Sequence, residues 1–145
     1  MTTVPSIPTA EFEVSLTGAV TAKASGAVRT RCVQGAGFFD VEVTPDVPLR
    51  AGDVAITSIV FGAPGFRGPG RYDAAAADDA EWSVGLVDVE HGAPSEFYSP
   101  LDGASGAITV APDGKSGRFE IRGLVSDEGG TLAATGTFTC GSVER

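Results

Sequence analysis

Residues 28–43, Val-Arg-Thr-Arg-Cys-Val-Gln-Gly-Ala-Gly-Phe-Phe-Asp-Val-Glu-Val, decide the fold. Val28, Thr30 and Cys32 fall on one side of an alternating run, with Arg29 and Arg31 on the other. After Gln34–Gly37 the alternation resumes, with Phe39, Val41 and Val43 against Asp40 and Glu42. Side chains of an extended chain point to opposite faces in turn, so this period marks a strand with one buried face. The glycine-flanked interruption between the runs predicts a hairpin.

The same period extends outward from this pair. Upstream, Phe12, Val14 and Leu16 alternate with Glu11, Glu13 and Ser15. Downstream, residues 53–62 (DVAITSIVFG) form a nearly continuous apolar run, which predicts a central strand covered on both faces. Trp82, Val84 and Leu86 alternate again. Three closing runs follow: SGAITVA, SGRFEIRGLV and TLAATGTFTC. Pro112-Asp113-Gly114-Lys115 separates the first two as a turn. Residues 73–80 are the strongest helix candidate but too short for an α/β fold, and a short strand ending at Asp78–Asp79 is favoured. Residues 62–70 and 91–103, rich in glycine and proline, read as long loops. The prediction is an all-β fold, an antiparallel β-sandwich or flattened barrel of about eight or nine strands. Residues 1–10 form an extended tether containing Pro5 and Pro8, and residues 11–145 a single domain.

The charge of −9 disfavours nucleic acid and anionic lipid surfaces as partners. No apolar run reaches the length of a transmembrane helix. Residues 1–10 lack the basic start and apolar core of a signal peptide, which taken literally means cytoplasm. The cysteines point the other way. Cys32 and Cys140 both fall in the inward phase of strands, one early and one late. They are placed to bridge, and such a disulfide persists in oxidising compartments. The alternative is a pair of buried free thiols. No metal site is predicted: two thiolates and the lone His91 lack the spacing of zinc ligands.

No catalytic residues and no cofactor are predicted. His91 stands beside Asp88 and Glu90, but nothing nearby marks a nucleophile. Asp73, Asp78, Asp79 and Glu81 lack the spacing of a calcium loop and read as a solvated acidic turn. The glycines of residues 62–70 do not follow the pattern of a phosphate cradle. Aromatic residues are the remaining candidates. Phe66, Tyr72, Phe97 and Tyr98 lie in or beside the two long loops, where they could grip a protein or glycan partner. The competing reading places Tyr72 and Trp82 in the core.

SGAITVAPDGKSGRFEIRGL, followed by GTLAATGTFTC, resembles the C-terminal half of small actinobacterial cell-envelope lipoproteins, including the mycobacterial lipoprotein antigens. The matching residues at the close are Gly136, Thr137, Phe138, Thr139 and Cys140, with Cys32 as the early-strand cysteine. The sequence has no lipobox. The resemblance implies a surface-exposed, non-enzymatic adhesin, antigen or ligand carrier. The expectation is therefore an extracytoplasmic bacterial protein acting in binding or assembly. The rivals are a carbohydrate- or small-ligand-binding module using loop aromatics, and a subunit of an extracellular or phage-type particle.

Overall fold

The computed structural model describes residues 9–75, 82–98 and 105–144. These residues form strands and turns only. In chain order the strands are β1 (Thr9–Gly18), β2 (Ala22–Gly35), β3 (Gly37–Val43), β4 (Leu49–Ala51), β5 (Val54–Phe66) and β6 (Gly70–Ala75). There follow β7 (Ser83–Asp88), β8 (Pro94–Tyr98), β9 (Ser105–Val110), β10 (Ser116–Ser126), β11 (Thr131–Thr139) and β12 (Ser142–Glu144). The all-β antiparallel architecture is as expected. The strand count is higher because β4, β8 and β12 carry too little alternation to be read.

All twelve strands belong to one sheet. Its pairing order runs β11-β1-β2-β3-β5-β7-β8-β10, and β10 pairs again with β11. The β8–β10 step consists of two residue pairs, Val125↔Tyr98 and Ser126↔Phe97, so the curled sheet is not a clean barrel. Strands β9 and β6 extend from the earlier part of β10. The expected hairpin is β2–β3, whose last pair, Gly35↔Phe38, encloses Ala36 and Gly37. β1 begins at Thr9, two residues inside the expected tether, opposite Arg29. The edge of β2 just beyond Arg29 is instead taken by β12, which pairs in parallel from Ser142↔Arg31 to Glu144↔Val33.

One core fills the curled sheet. Phe61 stacks on Phe119 at 4.4 Å between ring centroids, and Phe119 lies 5.8 Å from Phe12. From Phe61 the contacts continue to Phe138 at 5.4 Å, Phe39 at 6.4 Å and Phe66 at 5.0 Å. Six phenylalanines from five strands thus tie the sheet together through its interior. Gly117 makes room for one of them: a Cβ there would lie 2.9 Å from the Phe138 ring and 2.0 Å from the Thr109 carbonyl oxygen.

Two register shifts explain where the period-two reading slips. In β5, Ile56 pairs with Leu86 but Ser58 pairs with Gly85, leaving one extra residue between. The buried positions therefore pass from Ile56 to Ile59, Phe61 and Ala63, while Val54 and Val60 are only half-buried. The apolar run is not covered on both faces; its phase is reset by a bulge. In β10 the pairing jumps from Ile121↔Ala134 to Leu124↔Leu132. Gly123, at φ +78°, supplies the left-handed residue, and Leu124 is thereby turned inward.

Candidate functional site

The disulfide forms as expected. Cys32 and Cys140 are joined with a Cα–Cα separation of 5.7 Å, closing a span of 108 residues. Cys32 is fully buried and Cys140, just past β11, is half-buried. The bridge ties the end of β11 to β2 where the chain enters β12. On the outer side, Arg31 donates through Nε to Glu144 at 3.0 Å and through Nη1 to Glu42 at 3.3 Å. The hydrogen bond from Arg31, then its charge, hold the Glu144 carboxyl below its usual range.

The aromatic candidates are mostly structural. Phe66 is buried, because β5 continues through residues 62–66 along the edge of β3 and the turn follows it. The expected loop over residues 62–70 is therefore corrected to a strand end, a short turn and the start of β6. Tyr72 packs on Phe66 at 5.3 Å. Its hydroxyl accepts from the Arg67 N–H at 2.8 Å and donates to the Gly68 carbonyl at 2.5 Å. Trp82 is buried and donates through Nε1 to the Gly62 carbonyl at 3.1 Å. These two side chains satisfy backbone groups beside the edge of β5 that β7 leaves after Val60. Phe97 is also buried, since residues 94–98 of the expected second loop are β8. Tyr98 alone of the four is exposed, and its hydroxyl donates to Asp127 at 3.0 Å. That bond, then the Asp127 charge, push the phenol above its usual range.

His91 is an exposed turn residue. Asp88 accepts from the backbone N–H groups of His91 and Glu90 at 3.1 and 2.8 Å, which hold its carboxyl below the usual range. The imidazole Nδ1 lies 3.4 Å from the same carboxylate. Asp73 is exposed and pairs with Arg71 at 3.1 Å. Asp78, Asp79 and Glu81 lie outside the described residues. Among the described residues no group of three or more His, Cys, Asp or Glu is arranged to hold a metal ion.

The structure assembles a surface that strand-by-strand reading did not reveal. Six adjacent strands, β6-β9-β10-β11-β1-β2, present their outward residues in cross-strand rows. One row reads Arg71, Thr109, Arg118, Thr137, Glu13, Ser25. The next reads Asp73, Ala107, Glu120, Thr135, Ser15, Lys23. Two shallow grooves, of about 390 and 520 Å³, meet at Thr137. The neighbouring outward residues on β10 and β1 add Arg122 and Glu11. In and beside the two rows four cations thus stand with four anions, so this part of the face is neutral although the chain carries −9; farther along β2, Arg29 and Arg31 pair with Asp46 and with Glu42 and Glu144. Between the charges lie short hydroxyl side chains, which cost little entropy to order.

No family model, curated protein sequence or solved structure matches the chain. The fold and this face define it as an all-β, disulfide-closed domain with a neutral, hydroxyl-rich sheet face.

Proposed function

We propose that the chain is a secreted or cell-surface β domain that works without catalysis, by presenting the β6-β9-β10-β11-β1-β2 face to a partner in binding or assembly. The observation that carries this reading is the charge distribution. A domain of net charge −9 repels most acidic surfaces, yet the two paired rows of this sheet face are neutral, with both signs interspersed. The Cys32–Cys140 bridge supports an oxidising compartment, and the absence of any helix long and apolar enough to cross a membrane, among the described residues, is compatible with it. The resemblance to cell-envelope lipoproteins points the same way. Burial of Phe66 and Phe97 favours contact through the sheet face over contact through loop aromatics.

Fractionation of producing cells, with thiols alkylated before any reductant is added, tests the compartment. Unalkylated protein in the envelope or medium is expected. A cytosolic protein whose mass rises by two alkyl groups would overturn the reading.

A further inference from the structure

We infer that the partner of this face is a second copy of the same chain, docked sheet to sheet across a two-fold axis. The inference rests on the assembly reading above and adds the occupant.

The argument comes from the order of charges in the two central rows. Along each strand the rows are two residues apart, about 7 Å, and six strands span about 24 Å along the curled sheet, so the central strands β9, β10, β11 and β1 make the closest approach. An axis lying in the face, across the strands and midway between the rows, turns each row onto the other. Arg71 then meets Asp73 of the second copy, and Arg118 meets Glu120, each contact occurring twice by symmetry. Glu13 meets Ser15, Ser25 meets Lys23, and Thr137 meets Thr135. The flanking charges also find neutral partners: Arg122 falls opposite Ser116 and Glu11 opposite Thr17. No like charges are opposed at any of these positions. Arg71, Asp73, Arg118 and Arg122 are exposed and Glu120 half-exposed, so each can reach across.

Self-matching of this kind is specific to the axis. Moving it by one residue along the strands, onto the first row, sets Arg71 against Arg71 and Arg118 against Arg118. Moving it onto the second row opposes Asp73 to Asp73 and Glu120 to Glu120. The ladder therefore selects a single register, in the way that isologous interfaces require each patch to complement itself. Neutrality of the face matters equally, because two chains of charge −9 approach with least repulsion where that charge is absent.

Sedimentation velocity of the full chain, over a micromolar-to-millimolar series at low and high salt, reads the dimer directly. The wild type is expected to dimerise reversibly and less tightly as salt rises. Arg118→Glu leaves two acidic residues facing two more and weakens the dimer by about tenfold or more. Glu120→Arg does the same with two basic residues. An equimolar mixture of the two variants is expected to form a heterodimer, and the double variant R118E/E120R to recover the homodimer. Circular dichroism of each variant verifies the fold.

A wild type that stays monomeric throughout the series, variants that dimerise like the wild type, or a mixture that stays monomeric would each overturn the inference. A monomer recovered from the envelope with its disulfide intact would sink the second-copy inference while leaving the extracytoplasmic reading standing.

Discussion

Cys32 pairs with Val143 across the parallel β2–β12 ladder, while its sulfur is bonded to Cys140 three residues earlier. One residue of β2 thus fixes the C-terminal segment twice, once by covalent bond and once by register. The Gly141 N–H adds a hydrogen bond to the Thr30 carbonyl at 2.8 Å. β12 has only three residues, too few to hold a parallel pairing alone.

Reduction of the bridge, or Cys32→Ser with Cys140→Ser, is therefore expected to act at two levels. Global stability falls by about 2–5 kcal/mol, as for other long-loop disulfides. Before global unfolding, amides of residues 142–144 lose protection from hydrogen exchange, because Arg31–Glu144 is an exposed ion pair and stabilises little alone. Denaturant titration and exchange mass spectrometry separate the two effects. Unchanged protection at 142–144 after reduction would show that the ladder needs no bridge.

Phe66 and Tyr98 are predicted to respond in opposite ways to truncation. Phe66 is enclosed by Phe39 and Tyr72, so Phe66→Ala leaves a cavity and costs about 3–5 kcal/mol. Tyr98 is 40% exposed, and Tyr98→Ala removes one surface hydrogen bond to Asp127, costing about 1 kcal/mol or less. Chemical denaturation of both variants decides the matter. A fully stable Phe66→Ala protein would return Phe66 to the list of display residues.

Trp82 and Gly62 make a contact whose loss leaves a buried carbonyl without its partner. Trp82→Phe keeps most of the apolar volume but removes the Nε1 donor. The expected cost is about 2–4 kcal/mol, combining an unsatisfied acceptor with a partial cavity. Tyr72→Phe, at a half-buried position, should cost less even though its hydroxyl makes two hydrogen bonds, because water can replace it.

Much of the fold was legible because β1, β2, β3 and β7 keep an unbroken period of two, with one face buried and the other wet. The cysteine bridge was legible for the same reason, since phase placed Cys32 beside Val28 on the inner face. Phe66 was misread because Gly62, Pro64 and Gly65 are turn residues by type; pairing with β3 keeps residues 62–64 in the strand, and a register shift passes over Gly65, at φ +74°, to bring Phe66 opposite Gly37. β8 escaped notice because a single buried residue, Phe97, gives no period. The two-row face was not legible at all. Each strand disclosed which residues point outward, but the row that joins Arg71 to Ser25 depends on which strands are neighbours. That order, with β6 and β2 at opposite ends of six strands, is a property of non-local pairing.

Acid should destabilise the fold through a small set of carboxylates. Asp113 accepts from the Lys115 N–H at 2.8 Å, and this bond holds its carboxyl below the usual range. Asp88 and Glu144 are lowered as well. A carboxylate whose folded pKa lies below its unfolded value stabilises the fold above that unfolded value. The contribution is lost as pH falls through the folded pKa. Stability is therefore expected to hold from pH 7 to about pH 5 and to decline below about pH 4. Asp113→Asn, which keeps the acceptor oxygen without the titration, should flatten part of that decline. Urea midpoints measured across the acid range check the sign, and a midpoint that rises on acidification would contradict it.

Gly123 gives the sharpest test of the bulge in β10. Its φ of +78° is unfavourable for any residue with a Cβ, so Gly123→Ala is expected to cost about 1–2 kcal/mol through backbone strain. Deleting Gly123 asks more. With the extra residue gone, strict alternation after Ile121 still turns Leu124 inward and keeps it opposite Leu132, so what is lost is the bend and added twist of the bulge. That bend carries β10 to β8 at Val125 and Ser126, the only residue pairs between those two strands among the described residues. The deletion should therefore open the sheet between β8 and β10 as well as lower stability. Hydrogen exchange would report this as lost protection at residues 94–98, with β1 and β2 still protected. Uniform loss across all strands would show instead that the bulge is part of a single cooperative unit.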